Sequence, residues 1–369
     1  MLKKIIHLSL ITALSAVFLC ACEKKTQPSG SEKVKGSFVA TIIADSGATK
    51  APADNDGAGA CVNRCKLQVW SKNPKTSNNE LVYEKVAAVS GNGRQPSSEF
   101  KDIELEKGVY YIFLFWADCG NGNLADSCYG TADLHEVTIA GTYSANDDRR
   151  DAFFTSRAFT VKDGFSETVN LVRPFAQLNI ITTDIKSIYE KLPAGSRDAS
   201  IFNSTPSDIR VAFSAPSVFN VETGQPAGPA GSFTSDTPVY RKVDGEIAGS
   251  YTLYMDYIFA ATSENKIASV EFMASNERGG MDVVKRTFTD VPLARNRRTY
   301  IIGPVLTNGE CKVSVSGSWN EEPPVDPVDP TDPTDPTDPD DPADPSDGAS
   351  YGQPGEPGPG IGNKPGPEW

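Results

Sequence analysis

With 369 residues, 38% of them hydrophobic and 22% charged, the chain is long enough for two domains and apolar enough to bury a core in each. Its net charge of −13 belongs to one end: residues 321–369 hold 13 acidic side chains against Lys364 alone, so residues 1–320 sum to −1. A nearly neutral body has no basic stripe for a phosphate backbone, which excludes nucleic acid as a partner.

Lys3 and Lys4 precede a mostly apolar run from Ile5 to Phe18, and Leu19-Cys20-Ala21-Cys22 closes it. The pattern is that of an export leader. Interrupted by His7, Ser9, Thr12 and Ser15, the run is too short and too polar to span a bilayer. Leu three residues before a cysteine and Ala one before it resemble a bacterial lipobox, so residues 1–21 read as a lipoprotein signal peptide and Cys22 as the lipidated N-terminus. The alternative is an ordinary secretory leader with a chance cysteine. A thioether-linked diacylglycerol with an amide-linked acyl chain exceeds the two signals that stable anchoring needs. Glu23, rather than Asp, permits passage to the outer membrane, so the expected place is the cell outer membrane, lipid-anchored and surface-exposed. Residues 22–36 are polar and read as a flexible tether.

Ser37–Ile43 is the first predicted strand. Asp54-Asn55-Asp56-Gly57, in the loop that follows, lacks the later ligands and closing Glu of a calcium loop and reads as a solvated turn. Strands then recur at 66–70, 81–86, 99–105, 110–116, 136–139, 152–161 and 168–172, with turn signals such as Asn92-Gly93, Lys107-Gly108 and Asp163-Gly164 between them. Residues 110–116, Tyr-Tyr-Ile-Phe-Leu-Phe-Trp, are apolar on both faces, which predicts a central strand.

The chain pivots at mid-length. Val169 and Leu171 alternate with polar neighbours before Arg173-Pro174, and Ala176, Leu178 and Ile180 do so after it. Pro174 cannot donate to a ladder and biases Arg173 towards an extended backbone, so one strand ends there and another begins. We take this as the junction between residues 37–173 and residues 174–320.

Beyond it, Ile185, Ile188, Tyr189 and Leu192 fall at helical spacing, with Thr183 to cap and Pro193 to stop a helix over 184–192. Ile209–Ala215 is a strand, and Pro216–Pro238, rich in Gly, Pro and Ser, reads as a long loop. Tyr251, Leu253, Met255, Tyr257 and Phe259 share one face of a strand. Val270–Ala274 and Val283–Phe288 form a hairpin across Asn276–Gly280, and strands at 298–306 and 311–319 complete the body. In the last of these Cys311, Val313, Val315, Gly317 and Trp319 face one way. Many short strands and little helix predict an all-β fold of two tandem β-sandwiches.

The tail, 321–369, has a proline at every third position from Pro324 to Pro345, most preceded by aspartate. Polyproline II repeats every ~3 residues, so prolines and aspartates line separate edges of an extended, acidic stalk. A partner ligand or an ion-binding strip is the other reading.

Catalytic chemistry is thin. Once the leader is removed His135 is the one histidine, which leaves no histidine pair for zinc and makes an ordinary position at a strand entry the expected reading. No phosphate-binding glycine loop occurs, and no cofactor, metal or catalytic residue is expected; carboxylates are plentiful, but composition singles out no hydrolase pair. Cys61, Cys65, Cys119, Cys128 and Cys311 remain in the mature chain. In an oxidising compartment two disulfides are expected. Cys119–Cys128, closing a short loop, is the preferred pair, and Cys61–Cys65 requires a turn between its members. The other two connectivities and a four-cysteine zinc site stay open. Cys311 reads as a small buried hydrophobe. Trp70, Trp116 and Trp319 lie in or at the ends of strands and read as core rather than as a sugar platform.

These features resemble a family. The lipobox, the two strand-rich halves, Asn170–Leu178 at mid-chain and Val291–Gly303 near the end are similar to the fimbrillin-like lipoproteins of Bacteroidales, related to type V pilins. Tyr110–Asp118 followed by Asp151-Ala152-Phe153-Phe154 resembles a poorly characterised branch of that group, and the similarity spans residues 37–319. The resemblance implies transthyretin-like sandwiches and a structural or adhesive role without catalysis. It also implies, in polymerising relatives, proteolytic removal of the first strand and its replacement by a strand from the next subunit. Lys50 would be the cleavage point here. The tail, with a proline in every triplet, cannot serve as the donor strand, which favours an anchor or accessory position. Expected partners are the membrane, through the lipid, other fimbrial subunits by strand addition, and a host or bacterial surface ligand. The alternative is a surface module that binds glycan or peptide in nutrient capture.

Overall fold

Two apolar faces on one strand require an apolar cover on each side, and β5 (Tyr110–Asp118) shows how the chain meets that demand. The computed structural model describes residues 32–43, 59, 61–72, 79–91, 95–184, 206, 208–235, 241–242, 250–275, 284–307, 309–319 and 321. Within them, Tyr111, Phe113 and Phe115 of β5 enter one core, and Ile112, Leu114 and Trp116 enter another. β5 pairs antiparallel with β2 (Arg64–Lys72) and β8 (Phe153–Thr160), and β3 (Asn79–Ala88) lies beyond β2. The first face of this sheet packs on a three-stranded one, in which β1 (Lys33–Ile42) runs between β4 (Ser97–Glu106) and β9 (Phe165–Leu171). Phe38, Phe100, Ile103, Val169 and Leu171 meet Leu67, Val69, Phe113 and Phe115 there.

A second sandwich follows. Its five-stranded sheet runs β13-β14-β10-β17-β18, from β10 (Phe175–Thr182), β13 (Arg241–Lys242), β14 (Tyr251–Phe259), β17 (Arg298–Gly303) and β18 (Lys312–Val315). The facing sheet runs β16-β15-β11-β7-β6, from β16 (Val284–Leu293), β15 (Asn265–Ser275), β11 (Asp208–Asn220), β7 (Val137–Ile139) and β6 (Tyr129–Gly130), with β12 (Gln225–Ser235) paired to β11. Leu178, Ile180, Leu253 and Ile301 from one sheet and Val211, Phe213, Val270, Phe272 and Val291 from the other enclose its core. The second face of β5 is covered by a third cluster that adds Phe154, Phe175, Phe219, Tyr257, Phe259 and Trp319. The fold is all-β, two β-sandwiches in tandem; among the described residues helix is limited to 3-10 turns at Gly122–Leu124 and Asp148–Arg150.

The mid-chain alternation separates two cores, although β6 and β7, from before the expected junction, join the second sandwich's sheet. Val169 and Leu171 enter the first core, and Ala176, Leu178 and Ile180 enter the second. The 15–16 hairpin, β15 with β16, is also as predicted. Four expectations change. The tether ends earlier than residue 36, because Lys33 already pairs with Glu106 and Val34 packs on the first core. Residues 216–235 of the predicted loop 216–238 form a hairpin instead, and the last three lie outside the described residues: β11 runs through Pro216 to Asn220, and β12 returns through Pro226 and Pro229. Prolines are tolerated because β12 pairs on one side only, and the ladder is irregular between Pro216 and Val218. The single face of β14 is broken at Leu253, where a bulge lets Ile180 pair with Tyr254 and Ile181 with Thr252. Leu253 and Tyr254 then serve the second core while Met255, Tyr257 and Phe259 serve the third cluster. Finally, β18 stops at Val315; Val313 is exposed, Cys311 only half-buried, and Trp319 turns inward after the strand has ended. The leader with Cys22, Lys50, residues 185–192 of the expected helix and residues 322–369 of the tail lie outside the described residues.

Candidate functional site

The first place to examine is the strand that follows the predicted anchor. β1 alternates as a half-buried strand should, and Phe38, Ala40 and Ile42 face the first core. It pairs antiparallel with β4 from Lys33 to Thr41 and parallel with β9 from Gly36 to Ile42, so its backbone is engaged on both edges. Phe38 packs against Phe113, Phe115 and Phe165 with ring centroids 4.9, 5.1 and 5.3 Å away. Gly36 is required by a close approach: a Cβ there would lie 2.0 Å from the Phe165 ring. Burying the side chains of Phe38 and Ile42 alone contributes about 1.5–3 kcal/mol each.

The second place is the corner where β2 begins and β5 ends. Arg64 is buried and holds Asp118 through Nη2 at 3.0 Å, Asp126 at 2.9 Å and the Leu124 carbonyl at 2.9 Å. Trp116 Nε1 adds a 3.1 Å hydrogen bond to Asp118. Burial raises the Asp118 carboxyl, with Arg64 pulling against it. Asp126 stands below the usual range: against burial, the hydroxyl and N–H of Thr131 and then Arg64 stabilise its charge. Cys61 and Cys119 meet at this corner, where Cys119 Sγ approaches the Cys61 carbonyl at 2.6 Å. Cys65, by contrast, points from β2 into the first core and is 1% exposed. Of the two cysteines expected as a pair, Cys61 lies towards Cys119, while the strand turns Cys65 into the first core. Burial raises the thiol of every described cysteine.

The third place is the junction itself. Arg173 forms a bidentate pair with Asp151, Nε to Oδ1 at 2.9 Å and Nη2 to Oδ2 at 3.0 Å, and both side chains are 1% exposed. Its guanidinium lies between two rings, 4.6 Å from Phe153 and 4.2 Å from Trp319. Asp151 also accepts Gly59 N–H at 3.2 Å, and burial pushes its carboxyl up to about 6 despite Arg173. Nearby, Arg150 lies 3.5 Å from Asp256, which also accepts from the hydroxyls of Tyr143 and Tyr254. A small concavity lined by Tyr143, Arg150 and Asp256 opens beside this network, and these polar groups are engaged with one another.

His135 is not an idle edge residue. Its ring stands edge-on to Trp70 at 4.7 Å, with Nδ1 2.9 Å from Asp133 and Nε2 3.1 Å from Glu222. It ties the segment before β7 to the turn after β11. Trp116 and Trp319 are core residues, as expected, and Trp70 is half-buried. Among the described residues no group of three His, Cys, Asp or Glu side chains is placed to hold a metal ion. The buried Arg–Asp pairs were not foreseen; partners 22 and 54 residues apart leave no local signal.

A family model described as a family of unknown function, DUF6562, matches residues 31–334. No curated protein matches the chain in sequence. Among solved structures, the chain is similar to a DUF1812 protein of Bacteroides thetaiotaomicron provisionally described as polysaccharide binding, with 10% identity and a TM-score of 0.46 over 77% of this chain and 96% of that one. It is similar to a fimbrial assembly protein of Parabacteroides distasonis, with 12% identity and a TM-score of 0.45 over 77% and 96% of the two chains. A third, the fimbrial anchor protein Mfa2 of Porphyromonas gingivalis, shares 11% identity with a TM-score of 0.43 over 77% and 98%.

Proposed function

We propose that the chain, which belongs to the DUF6562 family of unknown function, is a non-enzymatic, lipid-anchored protein of the outer membrane. In this reading it holds its two sandwiches at the cell surface in a structural or adhesive role, as an anchor or accessory of a fimbria. The observation that carries the proposal is the place of β1. Ten residues separate Cys22 from Lys33, a tether of at most about 35 Å when fully extended. It leads straight into a strand paired on both edges, so a pull on the lipid is resisted by two backbone ladders loaded along their length. An edge strand would be held by one ladder only.

The same placement bears on polymerisation. A shaft subunit must vacate its slot for a neighbour's strand. Here β1 fills the slot, and cutting after Lys50 would separate both the lipid and β1 from the body. An anchor retains what a shaft subunit gives up. The polar groups brought together in the folded body form structural pairs, Arg64 with Asp118 and Arg173 with Asp151, which fits a load-bearing role better than a catalytic one.

Mass spectrometry of the protein from intact and broken cells tests the reading. We expect an acylated Cys22 as the mature N-terminus, an uncut Lys50–Ala51 bond in the cell-bound fraction, and peptides released when intact cells are treated with protease. A mature N-terminus at Ala51 would overturn the anchor position. Peptides recovered from broken cells only would overturn the surface role.

A further inference from the structure

Three of the five described cysteines converge where β2 begins and β5 ends. The ladder between these strands ends with Arg64 opposite Asp118, and the alignment runs one step further, with Asn63 N–H donating to the Asp118 carbonyl at 3.2 Å. The Asn63 side chain then clasps Gly120, donating from Nδ2 to its carbonyl at 3.0 Å and accepting its N–H at 2.8 Å. A turn closed by Val62 N–H to the Gly59 carbonyl at 3.0 Å folds residue 61 back over the end of the sheet. Cys61 is thereby brought onto Cys119, whose thiol lies 2.6 Å from the Cys61 carbonyl. Cys128 stands close enough to add to the charge felt at Cys119, but its own sulfur contact is the Ser127 hydroxyl at 4.0 Å.

We infer that Cys61 and Cys119 form a disulfide in the exported protein, and that Cys128 remains a thiol beside it. The pairing differs from the one that loop length favoured, because the fold decides proximity. Asn63–Gly120 and Arg64–Asp118 hold the two backbone segments together independently of any bridge, so the sulfurs are presented before oxidation. Oxidation removes two protons and two electrons from the thiols. A dithiol–disulfide exchange protein of the export compartment accepts the electrons, and its own disulfide becomes a dithiol. The half-exposed Cys61 attacks first, forming a mixed disulfide and releasing one thiol of the exchange protein. Cys119 then displaces the second thiol, and the intramolecular S–S bond is complete. The bridge would fasten the start of β2 to the end of β5 next to the ladder that both cores share.

The inference rests on export, not on the anchor or adhesive role. It is tested on the full-length mature protein, alkylated during extraction without reductant and digested for mass spectrometry. The expected result is one cross-linked peptide pair joining Cys61 to Cys119, with Cys65, Cys128 and Cys311 alkylated after denaturation. A Cys119–Cys128 or Cys61–Cys65 pair, or five alkylated thiols on a chain whose leader is gone, would overturn it; the N-terminal peptide of the same digest separates a missing bridge from failed export. In thermal unfolding, a reductant should lower the wild-type midpoint by about 5–10 °C. Cys128→Ser should keep both the cross-link and this response, and Cys61→Ser should lose the response. Loss of the bridge in Cys128→Ser, or a reductant response in Cys61→Ser, would refute the assignment.

Discussion

Replacing Arg173 by methionine tests the junction most directly. The thioether side chain keeps most of the length that lies between Phe153 and Trp319, so little packing is lost. What changes is charge. Asp151, 1% exposed, keeps the Gly59 N–H at 3.2 Å but loses a bidentate cation. Removing one partner of a buried pair costs about 3–5 kcal/mol, because the other charge is left uncompensated. Replacing both, in Arg173→Met/Asp151→Leu, should restore stability to within about 1–2 kcal/mol of the wild type, far short of the sum of the single losses. The comparison is made by urea unfolding of all four proteins at pH 7, followed by fluorescence and circular dichroism. A further signature separates charge from packing. With Arg173 in place the Asp151 carboxyl already stands at about 6. Without Arg173 it titrates higher, so the deficit of Arg173→Met should narrow as pH falls from 7 towards 6, by up to about 1.4 kcal/mol per pH unit. A single variant that loses less than about 1 kcal/mol, additive losses in the cycle, or a deficit indifferent to pH would refute the reasoning.

Asp148 and Asp151 both stand at about 6 in the folded chain, raised chiefly by burial, so between pH 4 and 6 the folded state holds more protons than the unfolded one. Stability is therefore expected to fall as pH rises through that window, and the thermal midpoint should be higher at pH 5 than at pH 7; Asp148→Asn should flatten the profile, and a midpoint that drops on acidification would contradict it. Asp126 and Asp147, whose carboxyls are lowered, work in the opposite sense only below pH 4. Gly36→Val should displace the Phe165 ring and loosen β1, at a cost of about 1–3 kcal/mol, seen as faster proteolysis near the N-terminus; an unchanged digestion rate would show that the ring moves freely. Because Trp116 and Trp319 share one cluster between the sandwiches, fluorescence and circular dichroism should report a single unfolding transition; two separated transitions would show that the sandwiches fold independently.

How much of this was legible in advance follows from the range over which each signal acts. The double apolar face of residues 110–116 announced a central strand, while the distant segments that cover its second face left no signal beside it. β2 carries a different pattern. Arg64, Lys66 and Gln68 alternate with Cys65, Leu67 and Val69, the pattern of a half-exposed strand. All six are buried, because the polar face is matched by Asp118 and Asp126 at Arg64, by Glu84 at Lys66 (3.0 Å), and by Glu84 and the Ala132 carbonyl at Gln68. Periodicity reports which face is polar, and partners distant in sequence decide whether that face meets water. The bulge at Leu253 and the hairpin through Pro216 were hidden for a related reason: one inserted residue or one unpaired edge resets a rule that the sequence obeys on either side.

Trp319 shows what the mid-chain motif is for. Three segments that carried the family resemblance, 170–178, 291–303 and 151–154, are separated in sequence, yet one member of each touches the same indole or its immediate neighbour. Arg173, from the mid-chain motif, lies 4.2 Å from its ring, and Arg298, from the segment near the end, lies 5.6 Å away. Asp151, which opens the third segment, holds Arg173 in place, and Phe153 from the same segment covers its other face. Tyr257 of β14 stacks on the indole at 6.1 Å, with the planes 15° apart. A ring that completes a strand face could be exchanged for another apolar residue. A ring gripped by an arginine from the end of the first sandwich and another from the second closes the joint between them, adding packed side chains to the chain crossings after β5, after β7 and at Pro174.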